Sequence, residues 1–139
     1  MLHRIIYVSC PSPDFHNGDI RSILEASRRN NPPRAVSGML LFNSGFFLQW
    51  LEGSRSSINE RFETILADPR HEKVEILNYQ PVPNREFASW GMGYLGEGKL
   101  NADVFYRFST GEKFDPYDLS SDSAVAFLRE ASERGHELK

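Results

Sequence analysis

The chain has 139 residues, a formal net charge of −3 and 40% hydrophobic residues, which suits one domain with one core. It carries no basic block, so nucleic acid and anionic membranes lack an electrostatic footprint, and its lone Cys10 excludes an internal disulfide framework. No apolar run approaches the roughly 20 residues of a membrane span and the N-terminus lacks the three-part signal layout, so the expectation is a cytoplasmic protein with no membrane contact.

Residues 3–9 form a β-branched and aromatic run that predicts a strand, closed by Cys10-Pro11-Ser12-Pro13. Ile20, Ile23, Leu24 and Ser27 fall at i, i+3, i+4 and i+7, the spacing of one helical face. That helix starts near Asn17-Gly18-Asp19 and stops at Asn30-Asn31-Pro32-Pro33, because proline lacks the backbone donor and restricts its predecessor. Residues 36–42 and 46–51 predict two strands joined by the turn Asn43-Ser44-Gly45, where Gly45 allows a positive φ. Ile58, Phe62, Ile65 and Leu66 mark a second helix that ends before Asp68-Pro69, with Ser57 and Glu60 spaced as a capping box. Residues 73–79 predict a fourth strand and residues 87–95 a fifth. Phe105, Tyr106 and Phe108 make a short aromatic segment, and Ala124, Phe127, Leu128 and Ala131 return to helical spacing within residues 119–134.

The order is β-α-β-β-α-β-β. Its first six elements are two split β-α-β units, an α+β, ferredoxin-like sheet with both helices on one face. The C-terminal helix is then expected to cap the other face. A seam at residues 99–103 divides a core of residues 1–98 from a C-terminal extension of residues 99–139.

Within the third strand, Gln49 shares a face with Phe47 and Leu51, and Trp50 points to the other. A primary amide in a core needs partners for two donors and an acceptor, or it costs roughly 1–3 kcal/mol. Either backbone or a neighbouring Ser or Tyr satisfies Gln49, or a ring with donors and acceptors on its edge does, such as an isoalloxazine. Other chemical signatures are missing. There is no G-x-G-x-x-G after a strand, no P-loop and no Cys/His metal spacing, and His3, His16, His71 and His136 are scattered. RNA-binding domains on this plan pair exposed aromatics with basic residues. Phe46 and Trp50 imitate the first, but nothing supplies the second.

An ordered set of short motifs runs through residues 2–95. It comprises Ile5-Ile6-Tyr7-Val8-Ser9, Ser27-Arg28-Arg29-Asn30-Asn31-Pro32, Ser37-Gly38-Met39-Leu40, and Phe47-Leu48-Gln49 with Leu51-Glu52-Gly53. Asp68-Pro69-Arg70-His71, Arg85-Glu86-Phe87 and Trp90-Gly91-Met92-Gly93 complete it. In this order the chain resembles the BLUF domains, blue-light sensors using flavin, in their short single-domain form.

The resemblance implies a non-covalent flavin, FAD with FMN as the alternative, held between the two helices. It makes Tyr7 the light-driven donor of an electron and a proton, and Gln49 the amide that rearranges. Ile23 would pack on the ring, and Ser27 would bond Gln49 or Trp90. Asn31, with Asn30 beside it, would bond the pyrimidine edge, though both asparagines also suit a helix end. Arg70 and His71 would reach flavin carbonyl, ribityl or phosphate oxygens, with Asp68 orienting them. Trp90 and Met92 are read as sharing a strand face, either of them able to stand beside Gln49. Thr64 occupies a place where some relatives carry a basic residue. Trp50 should pack under the C-terminal helix, away from the flavin. The expectation is a photoreceptor without catalytic turnover, signalling through a downstream protein partner or a change of assembly, as a homo-oligomer, without nucleic acid. The alternative is a non-photoactive small-molecule module or minor enzyme on the same fold.

Overall fold

β1 (Leu2–Pro11) runs through the middle of the sheet, with β4 (His71–Pro81) and β3 (Phe46–Ser54) antiparallel on either side. β2 (Ser37–Asn43) continues antiparallel from β3, and β5 (Gly93–Leu95) lies parallel to β2. The order β4-β1-β3-β2-β5 is the ferredoxin-like plan with one added edge strand. The computed structural model describes residues 1–43 and 45–134; Ser44 of the expected turn and His136 lie outside the described residues.

Two helices cover one face. α1 (Asp19–Asn30) stops where Pro32 opens a short 3₁₀ turn, Pro32–Arg34. α2 (Arg55–Ala67) begins earlier than the sequence pattern suggests. Ser54, not Ser57, is its N-cap, and its hydroxyl accepts from the Ser57 N–H at 3.1 Å. Leu24 of α1 and Ile58 of α2 bury against Ile5, Leu40, Phe47 and Leu51.

The other face is capped from the C-terminal side. The aromatic segment forms a helix, α3 (Ala102–Arg107), which buries Val104. α4 (Ser121–Arg134) presents Ala124, Phe127, Leu128 and Ala131 to Ile6, Val8, Met39, Leu48 and Trp50. Phe127, Leu128 and the aliphatic side chains they meet each contribute about 1.5–3 kcal/mol when fully buried. No described helix is long and apolar enough to cross a membrane.

The fifth strand is the main departure from expectation. Of residues 87–95, only Gly93–Leu95 pair with the sheet. The Trp90 N–H turns back to the Phe87 carbonyl at 3.0 Å, and the start of the span is held by the buried carboxylate of Glu52. That carboxylate accepts from the backbone N–H of Glu86 at 2.9 Å and of Phe87 at 2.7 Å, so these donors are spent on a side chain rather than on a ladder. The same carboxylate takes the Trp50 indole N–H and the Ser37 hydroxyl, both at 3.0 Å. Gly38 lets β2 sit this close to β3, since a Cβ there would lie 2.0 Å from the Trp50 carbonyl oxygen.

Candidate functional site

A cavity of about 170 Å³ opens between α1 and α2 above the sheet. The strands supply its floor: Tyr7 from β1, Leu40 from β2, Phe47 and Gln49 from β3. Ile23, Ser27 and Asn30 come from α1, and Arg61, Thr64 and Ile65 from α2. Asp68, Arg70 and His71 close it from the turn between α2 and β4. This volume is below the roughly 300–1,000 Å³ of sites that enclose a drug-sized ligand.

The floor carries the most reactive arrangement. Tyr7 and Gln49 are opposed in the β1–β3 register, and the Tyr7 hydroxyl donates to Gln49 Oε1 at 2.5 Å. Gln49 Nε2 donates to Met92 Sδ at 3.4 Å. Burial pushes the Tyr7 phenol well above its ordinary range, with the Arg61 charge opposing, so Tyr7 holds its proton at neutral pH. The β1–β4 register shifts between Ile6 and Tyr7, an irregularity of the kind that re-aims a side chain.

The closing turn is tightly self-bonded. Arg70 donates from Nε and Nη2 to both Asp68 oxygens, at 2.7 Å in the shortest contact, and lies 4.0 Å from Asp19. That hydrogen-bonded guanidinium holds the Asp68 carboxyl below its usual range. His71 Nε2 lies 2.6 Å from the Ile65 carbonyl oxygen, which only accepts, so this nitrogen carries the proton. In the neutral ring Nδ1 then accepts from the Ser9 hydroxyl at 2.8 Å. Both ring nitrogens thus bond within the protein, and Arg70 bonds Asp68, rather than projecting free donors.

The sequence-predicted residues do not all converge. Tyr7, Ile23, Ser27, Asn30, Gln49, Asp68, Arg70 and His71 line one cavity. Asn31 is buried beside it. Its Nδ2 donates to the Gly91 carbonyl at 2.9 Å, and its Oδ1 has no hydrogen-bond partner. Arg28 Nε likewise holds the Met92 carbonyl at 3.0 Å, so the end of α1 grips the segment that brings Met92 to Gln49. Ser27 lines the cavity without bonding either expected partner.

Trp90 and Met92 do not share a face. Both precede β5, so strand alternation does not govern them. Met92 packs among the residues under α1 and α2. Trp90 packs with the core on the α4 side and stacks on Phe87 at 5.0 Å.

One charged lining residue escaped the sequence reading. Arg61 sits at an apolar-face position of α2, with Ile58, Phe62 and Ile65 at i−3, i+1 and i+4. A charge inside an apolar stripe was the available signal.

Comparison with known proteins gives concordant results. The family model for sensors of blue light using FAD matches residues 2–93. The chain is 33% identical over 93 residues to photoactivated adenylate cyclase subunit alpha of Euglena gracilis, covering 66% of this chain and 9% of that protein. It is 34% identical over 92 residues to the blue light- and temperature-regulated antirepressor BluF of Escherichia coli K12, covering 66% of this chain and 23% of that protein. Thus the chain matches only a minor part of these curated relatives. The dark-state structure of BlrB, a BLUF protein, superposes with a TM-score of 0.79 at 32% identity, covering 94% of each chain.

Proposed function

We propose, from the premise that the chain belongs to the BLUF family of sensors of blue light using FAD, that it holds a non-covalent flavin between α1 and α2 and reports blue light through Tyr7 and Gln49. The observation that carries this reading is the 2.5 Å hydrogen bond from Tyr7 to Gln49 Oε1 in the cavity floor.

The residues present fit such a ring. Ile23, Leu40, Phe47 and Ile65 offer apolar walls, and Gln49 and Asn30 offer polar edges. Asn31 Oδ1 and Arg61 Nε, an acceptor and a donor, are two of the buried atoms without a hydrogen-bond partner among the described residues. An orphaned buried polar group costs about 1–3 kcal/mol, which a ligand with a matching edge relieves. Asn31 and Asn30 are the residues we assign to its polar edge; Arg70, oriented by Asp68, and His71 line the rim and would reach it by exchanging bonds they hold within the protein.

When bound, a flavin supplies blue-light absorption and a ring able to take up an electron and return it. Tyr7 would be the residue that gives up that electron, and its hydrogen bond to Gln49 Oε1 would be the path by which the acidified phenol passes its proton toward the ring. The Gln49 amide presents an acceptor at one end and a donor at the other, and rotation or tautomerisation would exchange the two ends. Among the described residues Nε2 is held by Met92 Sδ, a weak acceptor that opposes this exchange little. With Tyr7 restored by return of the electron and proton, the rearranged amide would be the signal.

We read the chain as a sensor without catalytic turnover, with FAD as its flavin and FMN as the alternative. Residues 1–98 are the flavin-binding part, and residues 99–139 carry the signal outward. The relatives named above are a cyclase and an antirepressor. For this chain we propose output through a downstream protein or a change of homo-oligomeric assembly, in the cytoplasm. Absorption spectra of purified protein in darkness and under blue light test the reading. The expected result is a yellow protein with a small, reversible red shift and an oxidised flavin throughout. Colourless protein that takes up neither FAD nor FMN overturns it.

A further inference from the structure

We infer that Arg61 is the anion-binding residue of the cavity, placed to hold the phosphate of a phosphorylated flavin. This rests on the flavin reading above and adds to it the part of the ligand that the chain selects.

Charge within the cavity carries the argument. Its charged lining residues are Arg61, Asp68 and Arg70. Asp68 and Arg70 neutralise each other through a bidentate pair. Arg61 is left over. It makes no ion pair among the described residues, and its Nε is buried without a hydrogen-bond partner. Burial lowers the Arg61 pKa, and the Arg34 charge adds to the effect. Arg34 itself pairs with Glu60 at 3.4 Å, and the Thr64 hydroxyl donates to the Glu60 carbonyl at 3.2 Å, so neither group compensates Arg61.

An uncompensated, half-buried guanidinium is costly, and an anionic ligand group relieves that cost. The tricyclic ring of a flavin is neutral in its oxidised state, and riboflavin carries no charge. FMN and FAD differ from riboflavin by phosphate. The guanidinium fork matches phosphate oxygens in geometry and forms short, charge-assisted bonds to them. A ring in the cavity whose tail leaves at the mouth would keep that tail within the reach of a long side chain rooted on the wall.

The test is titration of flavin-depleted protein with riboflavin, FMN and FAD, followed by flavin fluorescence. Wild type should bind FMN and FAD about tenfold more tightly than riboflavin at low salt, and the gap should narrow as salt rises. Arg61→Gln should close the gap by weakening FMN and FAD while riboflavin affinity stays unchanged. Arg61→Lys should retain part of the gap. Equal affinities for the three flavins in wild type, or an undiminished gap in Arg61→Gln, overturns the inference. Equal loss of all three in Arg61→Gln assigns the residue a structural role and overturns it too. If Arg61→Gln fails to fold, wild type and Arg61→Lys still decide. Protein that binds none of the three flavins refutes the flavin reading itself.

Discussion

Gln49 and Trp50 are consecutive in β3 and serve opposite sides of the sheet. Gln49 meets Tyr7 and Met92 beneath the cavity. Trp50 packs in the core under α4, with its indole on Glu52 at 3.0 Å and the Arg4 guanidinium 4.9 Å from its ring centre. A change in the amide therefore acts on a strand whose next residue is already bonded into the far core.

That separation makes Trp50→Phe a clean variant. The dark absorption spectrum should stay nearly as in wild type, because the indole lies across the sheet from the cavity. Stability should fall by about 1–3 kcal/mol, since the substitution leaves a void and strips the buried Glu52 carboxylate of a donor. Spectra and denaturation midpoints measure the two effects. A displaced flavin band in this variant would contradict the face assignment.

Tyr7→Phe removes the phenolic proton, and Gln49→Leu removes the switchable amide. Either should abolish the normal red shift while flavin remains bound, as read by difference spectra. Burial keeps the Tyr7 phenol neutral, so the shift in wild type should not depend on Tyr7 ionisation between about pH 6 and 9. A wild-type photocycle in either variant refutes the proposed mechanism.

Met92 and Trp90 should separate in the same assay. Met92→Leu deprives Gln49 Nε2 of its sulfur acceptor, so the shift or its dark recovery rate should change severalfold. Trp90→Phe alters a stack on Phe87 on the α4 side and should leave the dark spectrum unchanged. The reverse pattern would mean that Trp90, not Met92, stands at the amide.

Asp68 sets an acid limit. Arg70 holds its folded pKa below the unfolded value of about 3.9. The sign follows by linkage. The pair stabilises the fold above about pH 4, and the contribution vanishes as pH falls through the folded pKa. Melting temperatures of wild type and Asp68→Asn should therefore differ at neutral pH and converge on acidification. A gap that stays constant from about pH 7 to 3 would show that Arg70 does not stabilise the carboxylate.

The proposed route outward runs through α4. Glu52 ties β3 to Glu86 and Phe87, and Arg129 of α4 donates to the Glu86 side chain at 2.9 Å. This is a contiguous network, and coupling through it requires a light-dependent change at its far end. Hydrogen exchange in darkness and in light should show altered protection within Ser121–Arg134. Changes confined to the cavity, with none beyond Leu95, would reduce α4 to a passive cover of an apolar sheet face.

Where local chemistry repeats, the sequence by itself was sufficient. Apolar, β-branched and aromatic runs identified four strands, period-3.6 stripes identified α1, α2 and α4, and prolines marked α1's end. Alternation put Gln49 and Trp50 on opposite faces without any coordinates. The resemblance to the BLUF domains rested on short motifs that stay close together in the chain. The tertiary structure decided what lies between elements. The Glu52 carboxylate takes the backbone donors of Glu86 and Phe87 and the Trp90 N–H turns back to Phe87, so only Gly93–Leu95 pair and alternation does not govern Trp90 and Met92. Asn31 and Arg28 then anchor Gly91 and Met92, so Met92 reaches Gln49. Arg61 stood within the apolar stripe of α2, but that its Nε is buried without a hydrogen-bond partner among the described residues follows only from the packing. Periodicity reports which residues share a face of one element. Which buried polar group takes which partner depends on distances between elements, and those are fixed only when the chain packs.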